Sequence, residues 1–187
     1  MEMSRFEYLS VLISIVIALG ITEVTISWGR LLQHRDRVRF SGLHAFWSVF
    51  ILFLMIQYWW GFWNARTVDN WSLASLLIFV SATIALVLCA ILLVPGRVIS
   101  GDINLKDLYY ENSRPFFLLA AVFLALSTAG DTFVLGVPLR DTENLIRLVG
   151  MGLVTFAASS TDRRVHMGLP LVAVVLVAVF LATAYML

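Results

Sequence analysis

Six apolar stretches, each about as long as a bilayer is thick when wound as a helix, are separated by short polar turns. No other feature limits the fold as strongly. A helix needs roughly 20 mostly apolar residues to cross about 30 Å of hydrocarbon. The stretches run over 6–32, 42–63, 71–94, 115–137, 142–159 and 164–187, the fifth being the shortest. The expected fold is an all-α polytopic membrane protein with six transmembrane helices in one domain, without room for a soluble one. Composition agrees: 60% of the residues are hydrophobic and only 13% charged, with mean hydropathy +0.91. A soluble chain of this size lacks the polar surface to cover so much apolar area.

The punctuation between the stretches is chemical. Pro95-Gly96 stops the third helix, and Ser113 with Pro115 reads as a cap and first-turn proline opening the fourth. Gly136 and Pro138 close the fourth, and Thr161 to Arg164 makes a tight turn before the sixth. The long connection from Pro95 to Arg114 interleaves Ile103, Leu105, Leu108 and Tyr109 with charges, as a short surface helix would. Glu2 and Glu7 flank Arg5, and no small-residue cleavage site follows. The first run is therefore read as a membrane helix and not a leader peptide.

Basic residues orient the bundle. Arg30, Arg35, Arg37, Arg39, Arg97, Lys106, Arg114, Arg163 and Arg164 fall on one side; Arg5, Arg66, Arg140 and Arg147 fall on the other. The nine mark the cytoplasmic face, so both termini face outward (N-out/C-out), as six crossings require. Arg30, Arg35, Arg37 and Arg39 also form a basic loop suited to anionic lipid. The expected location is a cell inner or plasma membrane, multi-pass. Tyr58, Trp59, Trp60, Phe62 and Trp63, with Trp71, cluster at one level as an interfacial aromatic belt, or as the lining of a ligand site. Ser4-Arg5 before helix one matches Ser113-Arg114 before helix four. Glu23 and Asp131 lie at similar depths in those helices, which suggests a 3+3 inverted repeat.

Ionisable side chains inside a membrane are costly and point to function. Four are candidates for an ion or proton pathway: Glu23, Asp131, Arg147 and Glu7. Asp131 and Arg147 lie at matching depth in one helical hairpin and should pair, as a structural bridge or an outer gate. Glu23 lies about 12 Å from the inner end of helix one, counted at the helical rise. There it has the chemistry of a proton carrier or cation ligand. The other helices offer the hydroxyls of Ser48, Ser81, Thr83 and Thr155 at that depth. Glu7 is an interfacial acid near Arg5. Glu7, Ser10, Ser14, Ala18, Thr22 and Thr25 share one face of helix one, read as a packing seam; Glu23 points away from it. Ala121, Ala125 and Ala129 make a second small-residue seam, within the bundle or between copies in a homo-oligomer.

His34, His44 and His166 match no metal or haem spacing, and Cys89 reads as a small buried hydrophobe, so no metal and no cofactor is expected. No nucleophile elbow, zinc-protease motif, phosphate loop or dinucleotide fingerprint occurs, and the chain is not expected to be an enzyme. A net charge of +1 gives no reason to expect nucleic acid. The expected function is a small channel or transporter for protons, cations or a small solute, using an intramembrane carboxylate. The alternative is a non-transporting scaffold, sensor or accessory subunit.

Overall fold

The computed structural model describes residues 4–95 and 102–185. They form six α-helices: α1 Arg5–Gln33, α2 Gly42–Gly61, α3 Leu73–Leu93, α4 Leu105–Phe133, α5 Thr142–Ser159 and α6 Arg163–Tyr185. All but α5 are long and apolar enough to cross a membrane. Glu143, Asn144 and Arg147, in the first two turns of α5, lower its apolarity. The chain is thus an all-helical membrane protein. A single parallel ladder joins two-residue strands, β1 Val38–Arg39 and β2 Ile103–Asn104, and ties the segment after α1 to the one before α4.

Local chemistry sets most helix ends. Ser4 and Glu7 form a reciprocal capping box at α1: the Glu7 amide donates to Ser4 Oγ (3.1 Å), and the Ser4 amide donates to Glu7 Oε2 (2.7 Å). Ser72 caps α3 and Asp141 caps α5. α2 ends at Gly61 instead of continuing through Trp63, and the chain tightens into a 3-10 segment, Phe62–Thr67. That turn carries Phe62 into the core, stacked on Phe6 at 5.4 Å and edge-on to Phe79 at 5.2 Å.

Helix four departs most from expectation. It starts at Leu105, ten residues before Pro115, so the segment expected as a separate surface helix is its first turns. Asn104 is the cap: its Oδ1 accepts from the Lys106 amide at 3.1 Å, and its Nδ2 donates to Asp107 Oδ2 at 2.6 Å. Pro115 lies inside the helix, and Ser113 Oγ donates back to the Tyr110 carbonyl instead of capping forward. Buried Leu105 and Tyr109 secure this extension, and that packing outweighs the lost proline hydrogen bond. The helix stops at Phe133, and Gly136 turns the chain at φ +73°. Gly96 and Arg97 lie outside the described residues.

α3 is the most buried helix and α6 the least: 44% against 6% of their most apolar stretches. Much of the expected α1 seam faces outward, and of the α4 seam Ala125 does, with Ala121 and Ala129 half-buried. The inner face of α1 is Leu9, Ile13, Ile17, Gly20, Val24 and Ser27, whereas Ala18, Thr22 and Thr25 are exposed. Ser10, Ser14 and Thr25 spend their hydroxyls on carbonyls of their own helix, leaving the larger aliphatic groups to pack inward. In α4 Ala125 is exposed, and the inner face carries Phe123, Ser127, Thr128 and Gly130. Two of the histidines are interior pins. His44 Nε2 donates to the Leu93 carbonyl at 2.7 Å, fixing the start of α2 to the end of α3.

Candidate functional site

α4 and α5 pack on each other, and a cavity of about 520 Å³ lies between them and α2 and α6, floored by α3. Ligand sites for small molecules fall in this range of volume. The lining runs on α4 from Phe116 to Asp131 and on α6 from Leu169 to Ala184. By the helical rise the cavity is about 20 Å long. Its walls are mostly apolar and aromatic, with Trp47, Phe50, Phe117, Phe123 and Leu176 among them.

Polar contacts lie beyond one end and at the other. Past the Leu169 end, the Tyr109 hydroxyl meets His166 Nδ1 at 2.9 Å, and His166 Nε2 meets the Ser160 carbonyl at 3.0 Å. A carbonyl only accepts, so Nε2 carries hydrogen, and in the neutral ring Nδ1 accepts from Tyr109. This buried link pins the start of α6 to α4.

The other end is the charged mouth. Arg147 Nη1 donates to Asp131 Oδ2 and, at 2.9 Å, to Asn144 Oδ1. Arg147 Nη2 lies 3.6 Å from Glu143 Oε2, and the guanidinium sits 5.0 Å from the centre of the Phe180 ring. Asn144 is fully buried, and its Nδ2 donates to the Pro138 carbonyl at 3.0 Å, so the pair is anchored to the α4–α5 turn. Asp131, Asp141, Glu143 and Arg147 all line this end. One turn from Asp131 along the wall, buried Ser127 Oγ has no hydrogen-bond partner among the described residues.

Of the four sequence candidates, Asp131 and Arg147 come together at the cavity. Glu7 and Glu23 stand on α1, which contributes none of the lining residues. Glu7 is an exposed capping acid; Glu23 is half-buried. Ser48, Thr83 and Thr155 turn their hydroxyls onto carbonyls one turn back in their own helices. The aromatic cluster divides: Trp59, Trp60 and Trp63 are exposed, whereas Tyr58 and Phe62 line the cavity.

Sequence reasoning missed Glu143, Asn144, Tyr109 and His166. The first two carried a signal, standing four and three residues before Arg147 and so on its face of α5. Tyr109 and His166 are 57 residues apart, with no local sign of their meeting. Among the described residues no three His, Cys, Asp or Glu side chains converge as a metal site. The chain matches no known family model, and neither a curated protein nor a solved structure is significantly similar to it.

Proposed function

We propose that this chain is a small membrane transporter that takes a small, largely apolar solute into the cavity between α2, α4, α5 and α6. The observation that carries this reading is the cavity itself, an apolar volume about 20 Å long ending on the Asp131–Arg147 pair. Evolution toward stability alone would fill such a space, because voids in a helical core are destabilising. α6, pinned at its start by His166 and resting its Phe180 ring on Arg147, is the wall best able to move. Asp131 is the intramembrane carboxylate of this scheme. Glu23 would serve a separate proton or cation step on α1.

In this reading α5 is the sixth crossing. Its 18 residues span about 27 Å, close to the hydrocarbon thickness. The basic bias keeps both termini outside a cell inner or plasma membrane and the charged mouth at the outer face. Exposed Arg35, Arg37 and Arg39, with Arg30, would meet anionic headgroups at the inner face. The exposed apolar faces leave room for a homo-oligomer. For the inverted repeat, α1 and α4 are each 29 residues long. Against it, α1 packs closely on α3, whereas α4 faces α6 across the cavity.

Proteoliposomes test the proposal. Transbilayer movement of a fluorescent single-chain amphiphile is followed, with a pH-sensitive dye inside to detect coupled proton flow. Wild type should accelerate movement, and the cavity-filling Gly150→Leu should return it to the rate of empty vesicles. Equal rates for wild type and empty vesicles would remove the transport reading and favour the scaffold alternative. A Glu23→Gln variant that carries the amphiphile but stops proton flow would assign Glu23 the proton step.

A further inference from the structure

We infer that the solute of this cavity is a lipophilic cation: an extended apolar body with an amine or quaternary ammonium head, the head lying at the Asp131 end. This rests on the cavity being the solute site, as proposed above. The charge of the mouth argues for it first. Three carboxyl groups, from Asp131, Asp141 and Glu143, line that end against one guanidinium, Arg147. The other three arginines of that side, Arg5, Arg66 and Arg140, are turned elsewhere, Arg5 donating to the Trp71 carbonyl. Arg66 lies 5.1 Å over the ring of exposed Trp63 and donates to its carbonyl, and Arg140 is exposed; neither lines the cavity.

Arg147 is also a poor receptor for an anion. Its nitrogens are directed to Asp131, Asn144 and Glu143, and its flat face rests on Phe180. An anionic head would have to displace these contacts and would still face the three carboxyl groups. A cationic head meets the reverse situation. Glu143 is ion-paired with Arg147 at 3.6 Å without a hydrogen bond between them, and Asp141 accepts from the Glu143 amide through Oδ1, leaving its second carboxyl oxygen for a ligand. Aromatic faces attract cations, and Tyr58, Phe62 and Phe180 all line this region. Arg147 over Phe180 already places one cation there. Ser127 Oγ, the orphan hydroxyl one turn below Asp131, offers an independent polar contact to a head or to a substituent beside it. Below it the wall is apolar, which suits a long tail.

The test uses the full chain in nanodiscs of zwitterionic lipid, with radiolabelled dodecyltrimethylammonium as probe and empty nanodiscs as blank. Unlabelled dodecyltrimethylammonium, dodecanoate and dodecanol compete. The expected result is saturable binding that the ammonium competes at least about tenfold better than dodecanoate or dodecanol, a difference typical of one good ionic contact. Glu143→Gln should weaken binding by about threefold or more with an unchanged melting temperature, since that side chain is partly exposed and its loss leaves the Asp131–Arg147 pair intact. Asp141→Asn, which keeps the helix cap, should do the same. Gly150→Leu should abolish binding. Dodecanoate or dodecanol competing as well as the ammonium, or affinity unchanged in both carboxyl variants, would overturn the cation assignment while leaving the cavity as the solute site. With dodecanoate and dodecanol also radiolabelled in turn, absence of saturable binding by all three compounds would overturn both.

Discussion

The two sides of this bundle are held together by different means. Where α1, α2 and α3 meet, helices touch through small residues. A side chain added at Gly20 would come within 2.6 Å of Met55 Cε and 3.0 Å of Val87 Cγ2. On the other side α5 packs along α4, whereas α6 is held near its ends, by Tyr109–His166 at one and by the Phe180 ring against Arg147 at the other, with open apolar volume between it and α2 and α4. Small residues give close van der Waals contact all along an interface, which suits a part that stays still. End latches hold an interface in register without filling it, which leaves space for a solute. α6 is as apolar as α1, with mean hydropathy 2.5 against 2.3, yet 6% of its apolar stretch is buried against 28%, so apolarity alone does not decide how tightly membrane helices pack.

Five single substitutions and one double would break or sharpen that contrast. The largest effect is expected from Asp131→Ala, which strands Arg147 in the wall. Losing one partner of a buried pair costs about 3–5 kcal/mol, visible as a sharp drop in the detergent melting temperature. Replacing both Asp131 and Arg147 by leucine should recover most of that loss; if the double variant is no better than the single, the latch works through more than its charges. Next comes Gly20→Leu, which overpacks the tight side and should cost about 1–3 kcal/mol. Gly150→Leu is its control in the loose side, where the nearest atom to an added Cβ is Leu124 Cδ1 at 3.5 Å. It should melt at or above the wild-type temperature. Equal damage from the two leucines would mean the two sides are not packed differently.

His166→Ala should follow, costing about 1–3 kcal/mol as the Tyr109 hydroxyl and Ser160 carbonyl lose their buried partner. Limited proteolysis of the α5–α6 turn, faster than in wild type, would locate the loosening at the start of α6. The smallest effect is expected for Trp59→Phe. It removes the 2.9 Å hydrogen bond to Ser14, which joins α1 to α2 at an exposed face, and should cost about 0.5–1.5 kcal/mol. A larger loss there than at His166 would reverse the assignment of the tight and latched sides.

The helices themselves were legible because their signals are local. α5 follows the expected limits, Thr142 to Ser159, since Asp141 caps it and the polar turn from Thr161 ends it. The meeting of Asp131 with Arg147 was legible for a related reason: a short turn between two helices puts residues equally far from it at the same depth. The start of α4 was not legible. Ser113-Pro115 is a proper opening signal, and only burial of Leu105 and Tyr109 against the rest of the bundle makes the earlier start favourable.

Hydropathy and charge, read along the chain, determined that this is a helical membrane protein and where most of its helices begin and end. Within a membrane every backbone polar group must be satisfied inside its own segment, so segments declare themselves. Which faces turn inward was decided only in the tertiary structure. Lipid and protein interior are equally apolar, and no hydrophobic difference marks one face of a helix over another. For that reason Ala18, Thr22 and Thr25 of α1 and Ala125 of α4 turned outward, His166 came to rest on Tyr109, and the cavity opened among residues that in sequence look like those of any packed core.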